Sequence, residues 1–185
     1  MAGALFGLMA GYVIGAGRPA VMMPAGIAAT AAGSSTFDHD HGVTAAQIQA
    51  LHERITREPG NPQVQIDLGN LLYDGGRYQE AIGHYQKALE LDPKNVSVST
   101  DLGTALWYTG RPDEALAQFQ KSLAIDPKHP QTLFNIGIVR MEGKQDRAGA
   151  IDAWERLLAA NPGYPDAAKV RQSIEKARGG IPAGS

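Results

Sequence analysis

Histidine and aspartate are the side chains of this sequence best suited to chemistry, because its 185 residues include no cysteine. The run Asp-His-Asp-His at residues 38–41 has the composition of a divalent-metal ligand set. Alternating residues in a tail without periodic structure do not converge on one ion, so we expect no metal site and no cofactor. His52, His84 and His129 lie in different parts of the chain, at separations that suggest no catalytic triad or ligand set. We therefore expect surface histidines and a protein that is not an enzyme.

The charge balance excludes another class of function. Seventeen Lys and Arg residues stand against nineteen Asp and Glu residues, which leaves a net charge of -2. No basic field is available to neutralise a phosphate backbone, so we expect no nucleic-acid partner. The absence of cysteine also rules out disulfides and covalent haem attachment through thiols. The organisation of the chain must therefore indicate its function.

The sequence contains an internal repeat of 34 residues, which predicts the helices that would position any binding residue. Two landmarks recur: an aliphatic residue followed by glycine, and a closing proline that comes one residue late in the third unit. The pairs are Leu68-Gly69, Leu102-Gly103 and Ile136-Gly137, and the prolines are Pro93, Pro127 and Pro162. A period of this length is typical of helix-turn-helix units that stack into a solenoid.

Further landmarks connect the repeat with a known family. One equivalent position holds Ala81, Ala115 and Ala150, and the position four residues later holds Tyr85, Phe119 and Trp154. In these positions, and in phrases such as EAIGHYQKALELDPKN, the chain resembles the tetratricopeptide-repeat (TPR) family. The resemblance implies an all-α, right-handed α-solenoid of about eight helices arranged as TPR helical hairpins.

The repeat also divides the chain into units. Residues 44–61 form a half-repeat helix, opened by a capping box of Thr44 and Gln47. Three full repeats cover residues 62–95, 96–129 and 130–164, and residues 165–185 form a C-terminal capping helix and tail. One extra residue between Gly143 and Ala148 lengthens the third repeat. We expect the turn between its two helices to absorb it.

The amino-terminal segment predicts a membrane attachment. Residues 1–18 are apolar residues and glycine up to Arg18, which favours an N-terminal transmembrane anchor helix. Residues 19–43 are rich in Ala, Gly, Pro and Ser, as expected of a flexible linker. A signal peptide cleaved after Ala31 is the alternative. Glycine recurs every fourth residue in this segment, at Gly3, Gly7, Gly11 and Gly15, which lie on one face of the predicted helix. This glycine face would allow two anchor helices to pair in a homodimer. The alternative is that glycine is simply common in such segments.

The TPR resemblance also implies a binding surface. In this family the first helix of each repeat lines a concave groove, which here would hold a helix or an extended peptide of a client protein. The positions that the family uses are occupied here by Gln63, Ile66, Asn70, Tyr73, Thr100, Thr104, Trp107, Tyr108, Phe134, Ile138 and Met141.

The members of this set have different expected roles. We expect Asn70 and Thr104 to hydrogen-bond the client, and Tyr73 and Trp107 to be its main anchors. We also expect Met141 to be exposed. In an alternative arrangement, three apolar side chains pack against neighbouring helices instead of facing the groove: Ile66, Phe134 and Ile138.

The whole arrangement resembles the membrane-anchored, periplasmic TPR component of bacterial cytochrome c maturation, most closely at residues 150–178. That resemblance implies an apocytochrome client and an inner-membrane location with the repeats in the periplasm. The position of Arg18 on the carboxyl side of the anchor instead favours a cytoplasmic repeat domain. A different class of function, a scaffold that joins membrane complexes through self-association, also fits a repeat protein.

Overall fold

The computed structural model describes residues 44–179, and every regular element within them is a helix. The α-helices are α1 (Ala45–Arg57), α2 (Pro62–Asp74), α3 (Tyr78–Leu91), α4 (Val96–Tyr108), α5 (Pro112–Ile125), α6 (Pro130–Ile138), α7 (Arg147–Ala160) and α8 (Ala167–Arg178). A π-helical segment, Val139–Gly143, extends α6. The prediction of an all-α chain with eight helices is confirmed for this part of the sequence.

Some of the predictions concern residues that the structure does not describe. The anchor at residues 1–18 with its glycine face, the linker at residues 19–43 and the tail from residue 180 onward all lie outside the described residues. Within residues 44–179, none of the helices has the length and apolar character needed to cross a membrane.

Polar caps and prolines determine where the helices begin. Thr44 Oγ1 accepts a hydrogen bond from Gln47 N at 3.2 Å, and Gln47 Oε1 accepts one from Thr44 N at 2.9 Å, so the predicted capping box is present. Asn61 and Asn95 cap α2 and α4 by accepting hydrogen bonds from backbone N–H groups of the first turn. Proline opens α2, α5 and α6, where its missing N–H costs no helical hydrogen bond.

Each hairpin closes around a glycine of its first helix and an aromatic ring of its second helix. A Cβ built on the glycine would lie within 3 Å of the ring: 2.8 Å for Gly69 and Tyr85, 2.5 Å for Gly103 and Phe119, and 2.0 Å for Gly137 and Trp154. The three rings are almost completely buried. The recurring glycine is therefore a packing requirement, because any side chain at this position would collide with the ring.

The hairpins stack into one continuous core. Each second helix packs against the first helix of the next repeat, α3 on α4 and α5 on α6, and α8 covers the end of the stack by packing on α7. At the other end, α1 packs on α2 through three half-buried side chains, Ile48, Leu51 and Ile55. This stacking aligns the first helices of neighbouring repeats.

The extra residue of the third repeat lies in a helix and not in the turn where we expected it. The left-handed residue of the turn is Gly76 (φ 71°) in the first repeat, Gly110 (φ 75°) in the second and Gln145 (φ 55°) in the third. The interval from Gly110 to Gln145 is one residue longer than the repeat, so the insertion precedes Gln145. The π-helical segment Val139–Gly143 absorbs it, because a π-turn holds one more residue than an α-turn.

Candidate protein-binding surface

The first helices of the three repeats, α2, α4 and α6, lie side by side, and we term their shared outer side the first-helix surface. The rings of Tyr73 on α2 and Tyr108 on α4 are 5.9 Å apart. Thr100 on α4 and Thr132 on α6 share a hydrogen bond of 2.7 Å. All residues predicted to contact a client lie on these helices or on the π-helical segment, but they differ widely in exposure.

Thr100 and Thr104 are only 1% and 2% exposed, so the prediction that they contact a client is wrong. Thr104 Oγ1 donates to the Thr100 carbonyl at 3.0 Å and accepts from Asn135 Nδ2 at 2.9 Å. Gln131 Nε2 donates in turn to Asn135 Oδ1 at 3.1 Å. The Thr104 hydroxyl therefore takes part in the hydrogen bonding between α4 and α6, because a buried polar group needs a hydrogen-bond partner.

A second polar chain between α4 and α6 includes His129, which we expected on the surface. Thr100 Oγ1 donates to the Val96 carbonyl at 2.8 Å, so the proton between the two threonine hydroxyls belongs to Thr132. His129 Nδ1 lies 2.8 Å from Thr132 Oγ1 and therefore carries the proton of that hydrogen bond. His129 is half-buried, and burial lowers its pKa, an effect that Asp126 opposes.

The sequence did contain a signal for this polar packing. The α4 segment VSVSTDLGTA carries several Ser and Thr residues, which compete with helical backbone hydrogen bonds and are unfavourable inside helices. A concentration of them in a repeat helix indicates partners on neighbouring elements. Ser99 on α4 is a further example of a hydroxyl with partners on a neighbouring helix. Gln118 Nε2 and Ser122 Oγ on α5 both lie 2.8 Å from Ser99 Oγ and donate to it.

The three apolar candidates belong to the core. Ile66, Phe134 and Ile138 are exposed by only 9%, 7% and 8%. The alternative in which they pack against neighbouring helices is therefore confirmed. The backbone carbonyl of Phe134 also accepts a hydrogen bond of 3.2 Å from Trp154 Nε1, which ties this part of α6 to α7.

Gln63 and Asn70 lie at the α2 side of the first-helix surface. Gln63 is exposed, and its Nε2 donates to Asp67 at 2.9 Å. Asn70 is half-buried, and its Oδ1 accepts a hydrogen bond of 3.0 Å from the hydroxyl of Tyr85. Because Tyr85 is the ring that covers Gly69, the core of the first hairpin holds the Asn70 amide in position.

Three tyrosines meet where α2 ends, α3 begins and α4 ends, and we term them the tyrosine cluster. Tyr78 and Tyr108 are stacked, with ring centroids 4.7 Å apart and planes 15° from parallel. Tyr73 lies edge-on to both rings, 5.1 Å from Tyr78 and 5.9 Å from Tyr108. Tyr108 is 37% exposed, and the other two are half-buried. Burial raises the pKa of all three phenols, so they are neutral at physiological pH.

The sequence analysis missed Tyr78 because this residue belongs to a second helix. The groove positions of the family lie on the first helices alone, whereas Tyr78 is the first residue of α3 and lies beside the last residues of α2 and α4. The available signal was the concentration of aromatic residues at the ends of the first two repeat helices, Tyr73, Trp107 and Tyr108, close to another tyrosine.

Trp107 and Met141 are half-buried, so only part of each side chain can contact a client. The Trp107 ring lies against Gly143, where an added Cβ would be 2.6 Å from Cζ3 of the ring. The same Cβ would be 3.1 Å from Pro112. Trp107 therefore joins the end of α4 to the π-helical segment as well as contributing to the surface.

The histidines do not combine into a site within the described residues. His84 Nδ1 lies 2.8 Å from Gln65 Oε1, and its ring centroid is 6.0 Å from that of His52. Burial, with smaller effects of Lys87 and His52, lowers the pKa of His84. His84, which we expected at the surface, is half-buried. Across residues 44–179, no cluster of three or more His, Asp and Glu side chains could hold a metal ion.

These observations define a class of protein: a stack of helical hairpins with an aromatic surface suited to binding other proteins. Models described as tetratricopeptide repeat match residues 62–128 and 131–164, which together make up more than half of the chain. The chain belongs to the tetratricopeptide-repeat family. No sequence among the curated proteins matches it.

Solved structures show the same fold at low sequence identity. MamA matches with a TM-score of 0.65 and 24% identity, covering 72% of this chain and 75% of MamA. A tetratricopeptide repeat protein from Parabacteroides merdae matches with a TM-score of 0.62 and 24% identity, covering 71% of this chain and 52% of that one. For the Yersinia enterocolitica type III secretion translocator chaperone SycD, the TM-score is 0.57 and the identity 17%, over 74% of this chain and 95% of SycD. At these identities the likeness establishes the fold alone.

Proposed function

We propose that this protein binds a helix or an extended segment of a client protein on the first-helix surface. The contacts are Tyr73, Trp107, Tyr108 and Met141, with Gln63 and Asn70 as polar contacts. The observation that carries the proposal is the tyrosine cluster, where Tyr108 remains 37% exposed beside two other rings. A few residues supply most of the affinity in protein interfaces, and tyrosine and tryptophan are enriched among them.

The exposed area sets the scale of the effect. Covering the exposed part of Tyr108 would remove on the order of 80 Å² from water, which is worth about 2 kcal/mol or less for an amphipathic ring. A factor of ten in affinity corresponds to about 1.4 kcal/mol. Removal of this ring should therefore weaken client binding by about tenfold.

The family and one structural relative support a client-binding role. SycD is by name a translocator chaperone, so a protein of this fold serves as a chaperone for other proteins. The finer proposal is that the client is an apocytochrome in cytochrome c maturation. Its support is the sequence resemblance at residues 150–178 and the apolar run at residues 1–18. In this proposal residues 1–18 anchor the protein in the inner membrane, residues 19–43 form a tether and the repeats lie in the periplasm.

Self-association as a membrane scaffold is the second candidate. One observation that supports it is the crystal structure of SycD, which is described as an alternative dimer. The other is a feature of the amino-terminal sequence. That feature is the glycine face of Gly3, Gly7, Gly11 and Gly15, which would allow two anchors to approach closely.

Affinity capture of the tagged, detergent-solubilised protein from its native host would test these proposals. The variant is Tyr108→Ala, and the matched control is Ile125→Ala, because both side chains are 37% exposed but Ile125 belongs to the second helix α5. We expect client proteins to be recovered with the wild type and with the Ile125 variant, and to be depleted about tenfold with the Tyr108 variant.

The identities of the recovered proteins separate the candidates. Apocytochromes or cytochrome maturation proteins would support the finer proposal, and their absence from a client set that depends on Tyr108 would reject it. Recovery of the protein itself alone, unchanged by Tyr108→Ala, would favour the scaffold. Retention of the protein in the membrane fraction, lost on deletion of residues 1–18, would support the anchor.

A further inference from the structure

Two histidines from different helices meet at the amino-terminal end of the stack. The ring centroids of His52 on α1 and His84 on α3 are 6.0 Å apart, and the ring planes are inclined by 64°. Two imidazoles that bind one Zn²⁺ or Cu²⁺ ion, each at a nitrogen-to-metal distance of about 2.0–2.1 Å, have their centroids about 5–6 Å apart. The spacing of the two rings therefore suits a shared metal ion.

A buried glutamine fixes the tautomer of His84. Gln65 on α2 is 7% exposed, and its side-chain oxygen lies 2.8 Å from Nδ1 of His84. Because an amide oxygen can only accept a hydrogen bond, Nδ1 carries the proton and Nε2 keeps its lone pair. Histidines that bind a metal usually donate their other ring N–H to an oxygen in this way. The hydrogen bond therefore leaves Nε2 of His84 as the nitrogen available to a metal.

This nitrogen is also accessible. Among the buried side-chain nitrogen and oxygen atoms of residues 44–179, only Nε of Arg140 lacks a hydrogen-bond partner. The hydrogen bond of His84 uses Nδ1 alone, so its Nε2 must lie in contact with solvent. His52 is exposed. Burial, with smaller effects of Lys87 and His52, lowers the pKa of His84, so the ring is neutral at physiological pH, and neutral histidine is the form that binds metals.

Further ligands are present in the sequence immediately before α1. Within residues 44–179, no group of three His, Asp and Glu side chains could hold a metal ion. The run Asp-His-Asp-His at residues 38–41 precedes Thr44, the N-cap of α1. His52 lies eight residues beyond Thr44, about 12 Å along the helix. The three to five residues that separate Thr44 from the histidines of the run span up to about 10–17 Å. The run is therefore long enough to reach the two helical histidines.

We propose that His52 and His84, together with residues 38–41, bind one divalent transition-metal ion of the Zn²⁺ and Cu²⁺ class. Such ions take imidazole and carboxylate ligands, whereas Mg²⁺ and Ca²⁺ prefer oxygen ligands alone. The run by itself would not converge on one ion, but the helical pair supplies two ligands that the fold already holds together. The two aspartates of the run also offset the charge of Lys87, which lies one turn along α3 from His84.

The ion would attach residues 38–41 to α1 and α3. Neither of these helices belongs to the first-helix surface, which is formed by α2, α4 and α6. The metal site thus goes beyond the proposed function and does not depend on it.

Isothermal titration of the full-length protein in detergent micelles with zinc chloride tests the site. The main variant is His84→Gln, because Gln118 occupies the equivalent position of the second repeat and is accommodated there. A double variant, His39→Asn with His41→Asn, removes the imidazoles of the run, and His129→Gln removes another half-buried histidine as a control. Loss of even an outer hydrogen-bond partner weakens metal binding by about 10- to 100-fold, so we expect His84→Gln and the double variant to bind Zn²⁺ at least about tenfold more weakly. His129→Gln should bind Zn²⁺ as the wild type does.

A second readout identifies the ligands. Electron paramagnetic resonance of the protein with Cu²⁺ should show nitrogen hyperfine couplings that are reduced in His84→Gln. Equal Zn²⁺ affinity in the wild type and His84→Gln would overturn the inference, as would equal affinity in the wild type and the double variant. A wild type that binds Zn²⁺ no more tightly than Mg²⁺ would also overturn it. Circular dichroism verifies that each variant is folded. Client capture through Tyr108 is measured separately, so each of these results would leave the proposed function standing.

Discussion

The contact of Gly137 with Trp154 leads to a quantitative prediction about two glycines that both lie inside helices. At Gly137 an added Cβ would be 2.0 Å from Nε1 of Trp154, and this nitrogen donates to the Phe134 carbonyl at 3.2 Å. At Gly83, within α3, an added Cβ would have nothing within 4 Å. Replacing each by alanine adds the same methyl group to two different environments.

The two substitutions should change stability in opposite directions. Alanine in a helix interior is favoured over glycine by about 1 kcal/mol, so Gly83→Ala should raise the free energy of unfolding by about 0.5–1 kcal/mol. Gly137→Ala has the same benefit, but overpacking costs about 1–3 kcal/mol and loss of the Trp154 hydrogen bond about 1 kcal/mol. The net loss is therefore about 1–3 kcal/mol, which corresponds to a fall in Tm of about 3–10 °C.

Urea and thermal unfolding of the full-length protein, followed by far-ultraviolet circular dichroism, would measure both changes. A smaller side chain in place of the ring should relieve the collision, so Gly137→Ala combined with Trp154→Leu should lose less stability than the sum of the two single variants. If Gly137→Ala were neutral or stabilising, as expected for Gly83→Ala, the argument that the ring fixes the distance between α6 and α7 would be refuted.

Two further predictions concern Gln145 in the third repeat and His129 at the end of the second repeat. Gln145 has a φ of 55° where the other repeats have glycine, so Gln145→Gly should raise the free energy of unfolding by about 1 kcal/mol in urea titrations, and an unchanged midpoint would contradict the argument. Burial lowers the pKa of His129 below the value of about 6.5 expected in an unfolded chain. As the pH falls, His129 is therefore protonated in the unfolded chain at a higher pH than in the folded protein. Between about pH 6.5 and the lower pKa of the folded protein, this difference should reduce the free energy of unfolding. The loss of stability between about pH 7 and pH 5 should be smaller in His129→Gln than in the wild type, and equal losses would exclude this role.

The sequence predicted the fold well because its landmarks are local. The spacing of Gly69 and Tyr85, repeated in the next two units, reflects a contact inside one hairpin, and the capping box of Thr44 and Gln47 involves one turn of helix. Such features depend on neighbours at fixed separations along the chain. They can therefore be read from spacing alone.

The binding surface was predicted less well because exposure depends on contacts between repeats. Thr104 occupies a position that faces the groove in the family, but here the side chain of Asn135 on the next first helix covers it. Tyr78 joins the cluster because two helix ends meet, which no position within one repeat indicates. Likewise, the length of the third repeat showed an insertion but not whether a helix or a turn would take it up.

The two joints between first helices differ in kind, and this difference has a mechanical consequence. Between α4 and α6, buried hydrogen bonds connect Thr100 with Thr132 and Thr104 with Asn135. Between α2 and α4, the partly exposed rings of Tyr73 and Tyr108 meet. Hydrogen bonds are directional and resist sliding, whereas ring contacts have a broad range of favourable geometries. We therefore expect bending of the stack to concentrate at the first joint, so that the second and third repeats move as one stiff arm.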